Sequence, residues 1–186
     1  MFESYRPLTR DKYLVGSEVK KLLEAAKDVE YYILFLAANT GVRPSELNQI
    51  KVQDINYDEG YIKVRTIKQK KGQIVMRDVI VNKEFLEVVK KYIRKEGYKP
   101  QSRLFEFSRQ WLWEIFKKMA NKAGLNPKYT LYSLRHYRAI TLLEETKDLE
   151  YVRSQLGHSS ISVTGQYLHT LPEKIEKYRK SVKTVT

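Results

Sequence analysis

The sequence predicts an α+β domain that is mainly α-helical and carries one small antiparallel β-hairpin. Three observations support this prediction: helical periodicity over most of the chain, alternation of apolar and polar residues in 61–81, and the lack of an internal repeat or Gly/Ser linker. The 186 residues, 42% of them hydrophobic, suit one domain with a packed core. We expect that domain to cover 1–186, with 1–15 as an arm or linker.

Three helices are predicted before the hairpin. Gly16-Ser17 followed by EVKKLLEAA indicates a capped helix, and a second helix covers about 29–39 before a Thr-Gly pair ends it. Pro44 can occupy the first turn of a third, short helix, which places Arg43 at its start.

The hairpin is predicted from YIKVRTI (61–67) and QIVMRDVIV (73–81), with the lysine-rich turn KQKKG between them. Helical periodicity resumes after it, and Pro172 opens a last basic helix, the tail 172–186. The other predicted helices are 83–95, 108–122, 132–145, 148–156 and 161–168.

The chain is strongly basic, since 35 Lys and Arg outnumber 22 Asp and Glu and give a net charge of +13. A nucleic acid is the first candidate partner, with a merely soluble, lysine-rich surface as the alternative. The longest apolar run, 31–38, is far shorter than the roughly 20 residues that span a bilayer, and the first residues lack the apolar stretch of a secretion signal. We therefore expect a cytoplasmic protein without a membrane partner.

Several kinds of chemistry are excluded by composition and motifs. The lack of cysteine rules out disulfides, thiol nucleophiles, Fe–S clusters and cysteine-bound zinc, and only three histidines are present. The phosphate-binding, dinucleotide, zinc-protease and serine-hydrolase signatures are missing as well. We expect neither a metal nor a cofactor.

Four blocks of sequence contain separated cations and end in a tyrosine. They are TGVRPSELNQI (40–50), TIKQKKGQIVMRDVIV (66–81), LYSLRHYRAITLL (131–143) and LGHSSISVTGQYLH (156–169). In this order the blocks resemble the tyrosine recombinases, also called the phage-integrase family, and Tyr167 follows His158 by the nine residues that the family pattern requires. The resemblance implies an integrase-like catalytic domain that breaks and rejoins DNA.

The chemistry of phosphodiester cleavage matches these residue types. Attack by the hydroxyl of Tyr167 builds negative charge on the phosphate oxygens, and arginines such as Arg43 and Arg135 can each donate two parallel hydrogen bonds to them. Because a free tyrosine has a pKa of about 10, the nucleophile needs help to lose its proton, and neighbouring cations favour the phenolate. The resemblance further implies that His158 hydrogen-bonds a phosphate oxygen.

The leaving 5′-oxygen needs a proton, and a lysine at the hairpin tip can supply it. Lys68 is our first choice by order in the family's hairpin, and Lys70 and Lys71 remain alternatives. Those two lysines and Arg138, one turn after Arg135, are candidates for gripping flanking phosphates.

Three residues near the arginines need separate interpretation. The family usually has a histidine, sometimes a lysine, three residues before the second arginine, and Tyr132 stands there; it shares a helix face with Arg135 and can donate, but it is a poor base. This leaves open which group accepts the proton of the nucleophile. Glu46 either holds an arginine in place or only favours the helix start. His136 points about 100° away from Arg135 and is interpreted as a structural histidine outside the catalytic set.

The resemblance implies site-specific DNA recombination through a covalent 3′-phosphotyrosyl intermediate, by a dimer or tetramer assembled on double-stranded DNA of the nucleoid. Alternatives are relaxation of supercoils in the manner of type IB topoisomerases, and a non-catalytic DNA-binding module that kept the fold. Family members commonly carry an N-terminal DNA-clamping domain, and none precedes residue 16, which predicts a truncated or minimal enzyme. The tail 172–186 either docks on a neighbouring subunit or is a frayed basic end.

Overall fold

The computed structural model describes residues 8–68 and 73–168. The fold is mainly α-helical with one three-stranded antiparallel sheet, so the predicted fold class is confirmed. Lys70, Lys71 and the predicted tail helix 172–186 lie outside the described residues.

Eight α-helices are formed by the described residues, together with 3-10 turns at Arg10–Lys12 and Val52–Asp54. The predicted boundaries are reproduced to within one or two residues except in the last helix, which ends at Gly165, so that Tyr167 follows it instead of lying within it. The helices are α1 (Gly16–Ala25), α2 (Asp28–Thr40), α3 (Pro44–Leu47), α4 (Lys83–Glu96), α5 (Arg109–Lys122), α6 (Leu131–Thr146), α7 (Leu149–Leu156) and α8 (Ile161–Gly165).

The sheet has the strand order β1 (Ile55–Asn56), β2 (Tyr61–Lys68) and β3 (Gln73–Ile80). The predicted hairpin is β2–β3, although Lys68 belongs to the strand and pairs with Gln73 instead of starting the turn. Strand β1 was not predicted, because two residues are too few to show an alternating pattern.

Two helices begin with the same arrangement, in which a glutamate of the first turn accepts a hydrogen bond from the backbone of the preceding residue. Glu18 Oε2 accepts from the Val15 amide at 2.9 Å, and Glu46 Oε2 accepts from the Arg43 amide at 2.8 Å. The predicted cap at Gly16-Ser17 is therefore wrong, since Val15 precedes α1 and Glu18 satisfies its amide.

Helix α2 lies at the centre and packs against α6. One of its sides buries Ile33 and Leu36 against the sheet and α4, while Leu34 and Ala37 pack among α1, α5 and α6. A third cluster joins α6 and α7 to Tyr167. The ends of α2, α3 and α7 thus meet α6 and the sheet in one region. No helix within 8–68 and 73–168 has both the length and the apolarity to cross a bilayer.

Candidate active site

The C-terminal end of α7 presents three consecutive backbone carbonyls to three arginines. The carbonyls of residues 155–157 accept hydrogen bonds from Arg77 Nε at 3.0 Å, Arg135 Nη2 at 2.6 Å and Arg43 Nη2 at 2.9 Å. The last carbonyls of a helix lack partners within the helix and carry partial negative charge. The end of α7 therefore draws together cations from three separate elements.

Each arginine is positioned by its local structure. Arg43 precedes α3, where Pro44 occupies the first helical position, and Arg135 lies one turn into α6. Arg77 lies on β3 at an inward-facing position between Val75 and Val79, because side chains alternate between the two faces of a strand. The fold thus brings together three arginines that lie 34, 58 and 92 residues apart in the sequence, taken in pairs.

Glu46 provides the negative charge at the centre of this cluster, and its side chain is only 3% exposed. Its carboxylate accepts hydrogen bonds from Arg43 Nη1 at 2.8 Å, from Thr66 Oγ1 at 2.6 Å and from both terminal nitrogens of Arg77 at 2.9 and 2.8 Å. Burial opposes the ionised carboxylate, but the hydrogen bonds and charge of Arg77 outweigh it and lower the pKa of Glu46 to about 2. Glu46 is therefore ionised at neutral pH and binds two of the three arginines.

Arg135 is the most deeply buried of the three, with 5% of its surface exposed. Besides its bond to α7, its Nη1 donates to the Gly41 carbonyl at 2.5 Å. Burial and the nearby charge of Arg43 lower the pKa of Arg135 to about 10, which still leaves it charged at neutral pH. Its fork geometry joins the end of α2 to the end of α7.

His158 follows α7 directly, because Gly157 adopts a left-handed φ of +65° and ends the helix. Its Nδ1 lies 2.9 Å from the hydroxyl oxygen of Thr164 on α8, and both residues are buried. Burial, reinforced by Arg135 and Arg43, lowers the pKa of His158 to about 3, so the imidazole is neutral at pH 7.

Tyr167 is 1% exposed, and its hydroxyl lies 2.9 Å from Nδ1 of His136 on α6. Its ring stacks on that of His158 with a centroid separation of 6.2 Å and an interplanar angle of 17°. Burial raises the pKa of Tyr167 to about 12 and outweighs the opposing effect of Arg135. As expected, the positive charge of Arg135 favours the phenolate and lowers the pKa of Tyr167. Burial has the larger effect, so the net change is an increase in that pKa.

The structure brings Arg43, Glu46, Arg135, His158 and Tyr167 together. Tyr132 is different: it lies near the start of α6 with 48% of its surface exposed. Arg138 is half-buried and lines a cavity together with Asn39 of α2, and its stem packs near Gly41. The backbone of Lys68 lies at the end of β2, and its side chain is outside the described part of the structure.

Three features of this region were not predicted from the sequence, namely Arg77, Thr164 and the contact of His136 with Tyr167. The sequence does contain an indication of Arg77, since a charged residue that shares a strand face with two valines needs a buried partner. His136 was interpreted as a structural histidine, but its Nδ1 lies 2.9 Å from the hydroxyl of Tyr167. Thr164 left no signal, because a threonine in a polar segment is unremarkable.

The donor set of the site is cationic and suits an anionic phosphate. In the part of the chain that the structure describes, no three His, Cys, Asp or Glu side chains form a group able to hold a metal ion. Arginine and histidine side chains thus lie beside a tyrosine, and these are residue types that can bind a phosphate and attack it.

The chain is similar to known proteins over most of its length. The family model "Phage integrase family" matches residues 12–174. Tyrosine recombinase XerA of Pyrococcus furiosus is 31% identical over 182 residues, which cover 92% of this chain and 62% of that protein.

Solved structures show the same fold. A crystal structure of XerA recombinase superposes with a TM-score of 0.74 and 28% identity, covering 93% of this chain and 66% of that one. XerH recombinase in a post-cleavage complex with a palindromic difH substrate gives a TM-score of 0.75 at 22% identity, covering 92% and 53%.

The mainly helical fold with its small antiparallel sheet is that of integrase-type catalytic domains. The chain belongs to the phage integrase family of tyrosine recombinases. It spans 51% to 65% of the length of the curated relatives that it matches.

Proposed function

We propose that this chain is the catalytic part of a site-specific DNA recombinase that cuts and rejoins strands through a 3′-phosphotyrosyl intermediate. The observation that carries the proposal is the convergence of Arg43, Arg135 and His158 beside the buried hydroxyl of Tyr167. The net charge of +13 supports a polyanionic substrate.

The proposed reaction needs no external energy source. The Tyr167 oxygen attacks the scissile phosphorus, the bond to the 5′-oxygen breaks, and the new tyrosyl ester retains the bond energy for rejoining. Arg43 and Arg135 stabilise the extra negative charge of the five-coordinate transition state, since each can offer paired N–H donors. His158 donates a further hydrogen bond through the nitrogen that does not face Thr164.

The leaving 5′-oxygen takes a proton from a hairpin lysine. We propose Lys68 for this role, because it ends β2, the strand whose Thr66 contacts Glu46 in the arginine cluster. Lys70 and Lys71 stay as alternatives. Together with Arg138 they are also proposed to contact phosphates that flank the scissile one, and Tyr132, exposed near the start of α6, is proposed as a further hydroxyl donor to the phosphate.

Strand exchange requires two duplexes to be cut, so we propose that copies of the protein assemble as a dimer or tetramer on double-stranded nucleoid DNA. The XerH complex contains a palindromic substrate, and a two-fold DNA site suits a two-fold pair of subunits. We also propose that residues 1–186 act as the catalytic domain and that the tail 172–186 docks on a neighbouring subunit.

Covalent capture tests the proposed function. The protein is incubated with a pool of nicked duplexes whose central sequence is randomised, so that a cut strand loses the short fragment needed for rejoining. After denaturation we expect a DNA-linked protein band that is lost in Tyr167→Phe, and sequencing of the captured DNA identifies the site.

The same assay separates the alternatives. DNA binding without a covalent band supports a non-catalytic module and contradicts the proposal. Supercoil relaxation with a covalent band but without joint products between two captured sites supports a topoisomerase-like activity instead.

A further inference from the structure

His136 Nδ1 and the Tyr167 hydroxyl lie 2.9 Å apart, within the range of a proton transfer along a hydrogen bond. The two rings are tilted by 54° with their centroids 5.8 Å apart, so they meet at an edge instead of stacking. We propose that His136 is a catalytic residue that accepts the proton of Tyr167 as its oxygen attacks the scissile phosphorus. This inference rests on the proposed function.

Tyr132 and His158 are the other candidates for the proton acceptor, and both are less suitably positioned than His136 to take the proton of Tyr167. Tyr132 stands where the resemblance implies a basic residue, but it is half exposed and a phenol is a poor base near neutral pH. His158 has its Nδ1 hydrogen-bonded to Thr164, and its ring lies nearly parallel to that of Tyr167. The contact of His136 is made to the reacting oxygen itself.

The surroundings of His136 keep it in the form that can accept a proton. Burial, Arg135 and Lys12 together lower the pKa of His136 to about 4, so its imidazole is neutral at pH 7. The groups that face it are Arg135 on its own helix, Lys12 from the 3-10 turn, Tyr167 after α8, and His158, which is itself neutral. An incoming phosphate offsets the charge of Arg135 and makes His136 a stronger base as the reaction begins.

The proton balance of the step is complete. The Tyr167 proton moves to Nδ1 of His136, the phenolate oxygen forms the bond to phosphorus, and the leaving 5′-oxygen takes its proton from the hairpin lysine. His136 then holds a proton as an imidazolium. In the rejoining step the attacking DNA 5′-hydroxyl gives its proton back to the hairpin lysine and displaces Tyr167, and His136 returns its own proton to the departing phenolate.

The test compares the parent with His136→Asn, whose side chain can still hydrogen-bond the Tyr167 hydroxyl but cannot take up a proton. Single-turnover cleavage is measured on a captured site whose scissile 5′-oxygen is replaced by sulfur, a leaving group that departs without a proton. We expect His136→Asn to cleave about 100-fold more slowly at pH 7, with the deficit shrinking as pH rises and solvent deprotonates Tyr167.

Controls separate catalysis from folding. Tyr137→Phe removes one polar atom from the next position of α6 and should leave the rate unchanged, and thermal melting shows whether His136→Asn keeps the fold. Cleavage by a folded His136→Asn at the parental rate or faster overturns the role of His136, as does a deficit that stays constant with pH. A parent that forms no covalent complex on any DNA overturns the proposed function together with this inference.

Discussion

Arg77 and Glu46 face each other with two hydrogen bonds, one of 2.9 Å from Nη1 to Oε1 and one of 2.8 Å from Nη2 to Oε2. The same carboxylate also binds Arg43. Because Glu46 is almost fully buried, this contact holds the sheet, α3 and the arginine cluster in one arrangement. The charge of Glu46 is therefore expected to matter for both stability and cleavage.

Replacement of Glu46 by Gln should destabilise the fold by about 3 kcal/mol, since it leaves two arginines without their buried counter-charge. Urea unfolding followed by circular dichroism measures the change. Glu87→Gln, which disrupts an exposed contact with Lys90 at 3.8 Å, serves as the matched control and should cost about 0.5 kcal/mol or less. Equal losses in the two variants would refute the assigned importance of Glu46.

Stability should fall as the pH is lowered, in two overlapping stages. His136 and His158 have folded pKa values of about 4 and about 3, below the ordinary 6.5, so the unfolded chain binds protons first and stability declines from about pH 6.5. Glu46, with a folded pKa of about 2 against 4.5, adds about 3 kcal/mol of stability above pH 4.5 that is lost towards pH 2. Unfolding free energies measured from pH 7 to pH 3 test this course. In Glu46→Gln the decline below pH 4.5 should be shallower than in the parent, and an unchanged slope contradicts the prediction.

Arg135→Lys should reduce covalent complex formation by about 100-fold or more, although the charge is kept. A lysine ammonium cannot reach both the Gly41 and Leu156 carbonyls and still offer paired donors to a phosphate. The lost hydrogen bond should also lower the unfolding free energy by about 1–3 kcal/mol. Arg109→Lys, at an exposed position at the start of α5, is the control for a change from Arg to Lys as such. Near-parental cleavage by Arg135→Lys would show that charge alone suffices at this position.

Gly41→Ala should destabilise the protein by about 3 kcal/mol, because a Cβ at φ +63° would lie 2.6 Å from Leu156 Cδ2 and also strain the backbone. Gly97→Ala isolates the strain: Gly97 has a φ of +67°, but nothing lies within 4 Å of the added atom, so a loss of about 1 kcal/mol is expected. Thermal or urea unfolding of both variants gives the comparison. A loss in Gly41→Ala no larger than that in Gly97→Ala would show that the contact with Leu156 relaxes without cost.

The fold followed closely from the sequence where the signals are local. Pro44 marked the start of α3 and Gly41 the end of α2, because these residues act through nearby backbone atoms. Strand β1 was not predicted, since a two-residue strand has no period. The prediction of a helix over 161–168 was too long, because it continued past Gly165, where α8 ends.

The site was harder to foresee, because its contacts join residues far apart in sequence. The four blocks pointed to Arg43, Arg135, His158 and Tyr167 through a resemblance, and the structure brings these residues together. Neither the blocks nor any local pattern indicated that carbonyls at the end of α7 accept hydrogen bonds from three arginines. Every residue has a backbone carbonyl, so the sequence does not show which carbonyls bind a side chain. The contact of His136 depends equally on where the segment after α8 is placed.

The carbonyl end of α7 has a consequence for the proposed substrate binding. Three like-charged guanidiniums repel one another, and here the oxygens of residues 155–157 and the carboxylate of Glu46 offset that repulsion. Under the proposed function the receptor for the phosphate is therefore preorganised, and little of the affinity for DNA would be consumed in gathering its cations. Recognition would then depend on what lies around the scissile phosphate, while the charge-stabilising core stays the same from one site to the next.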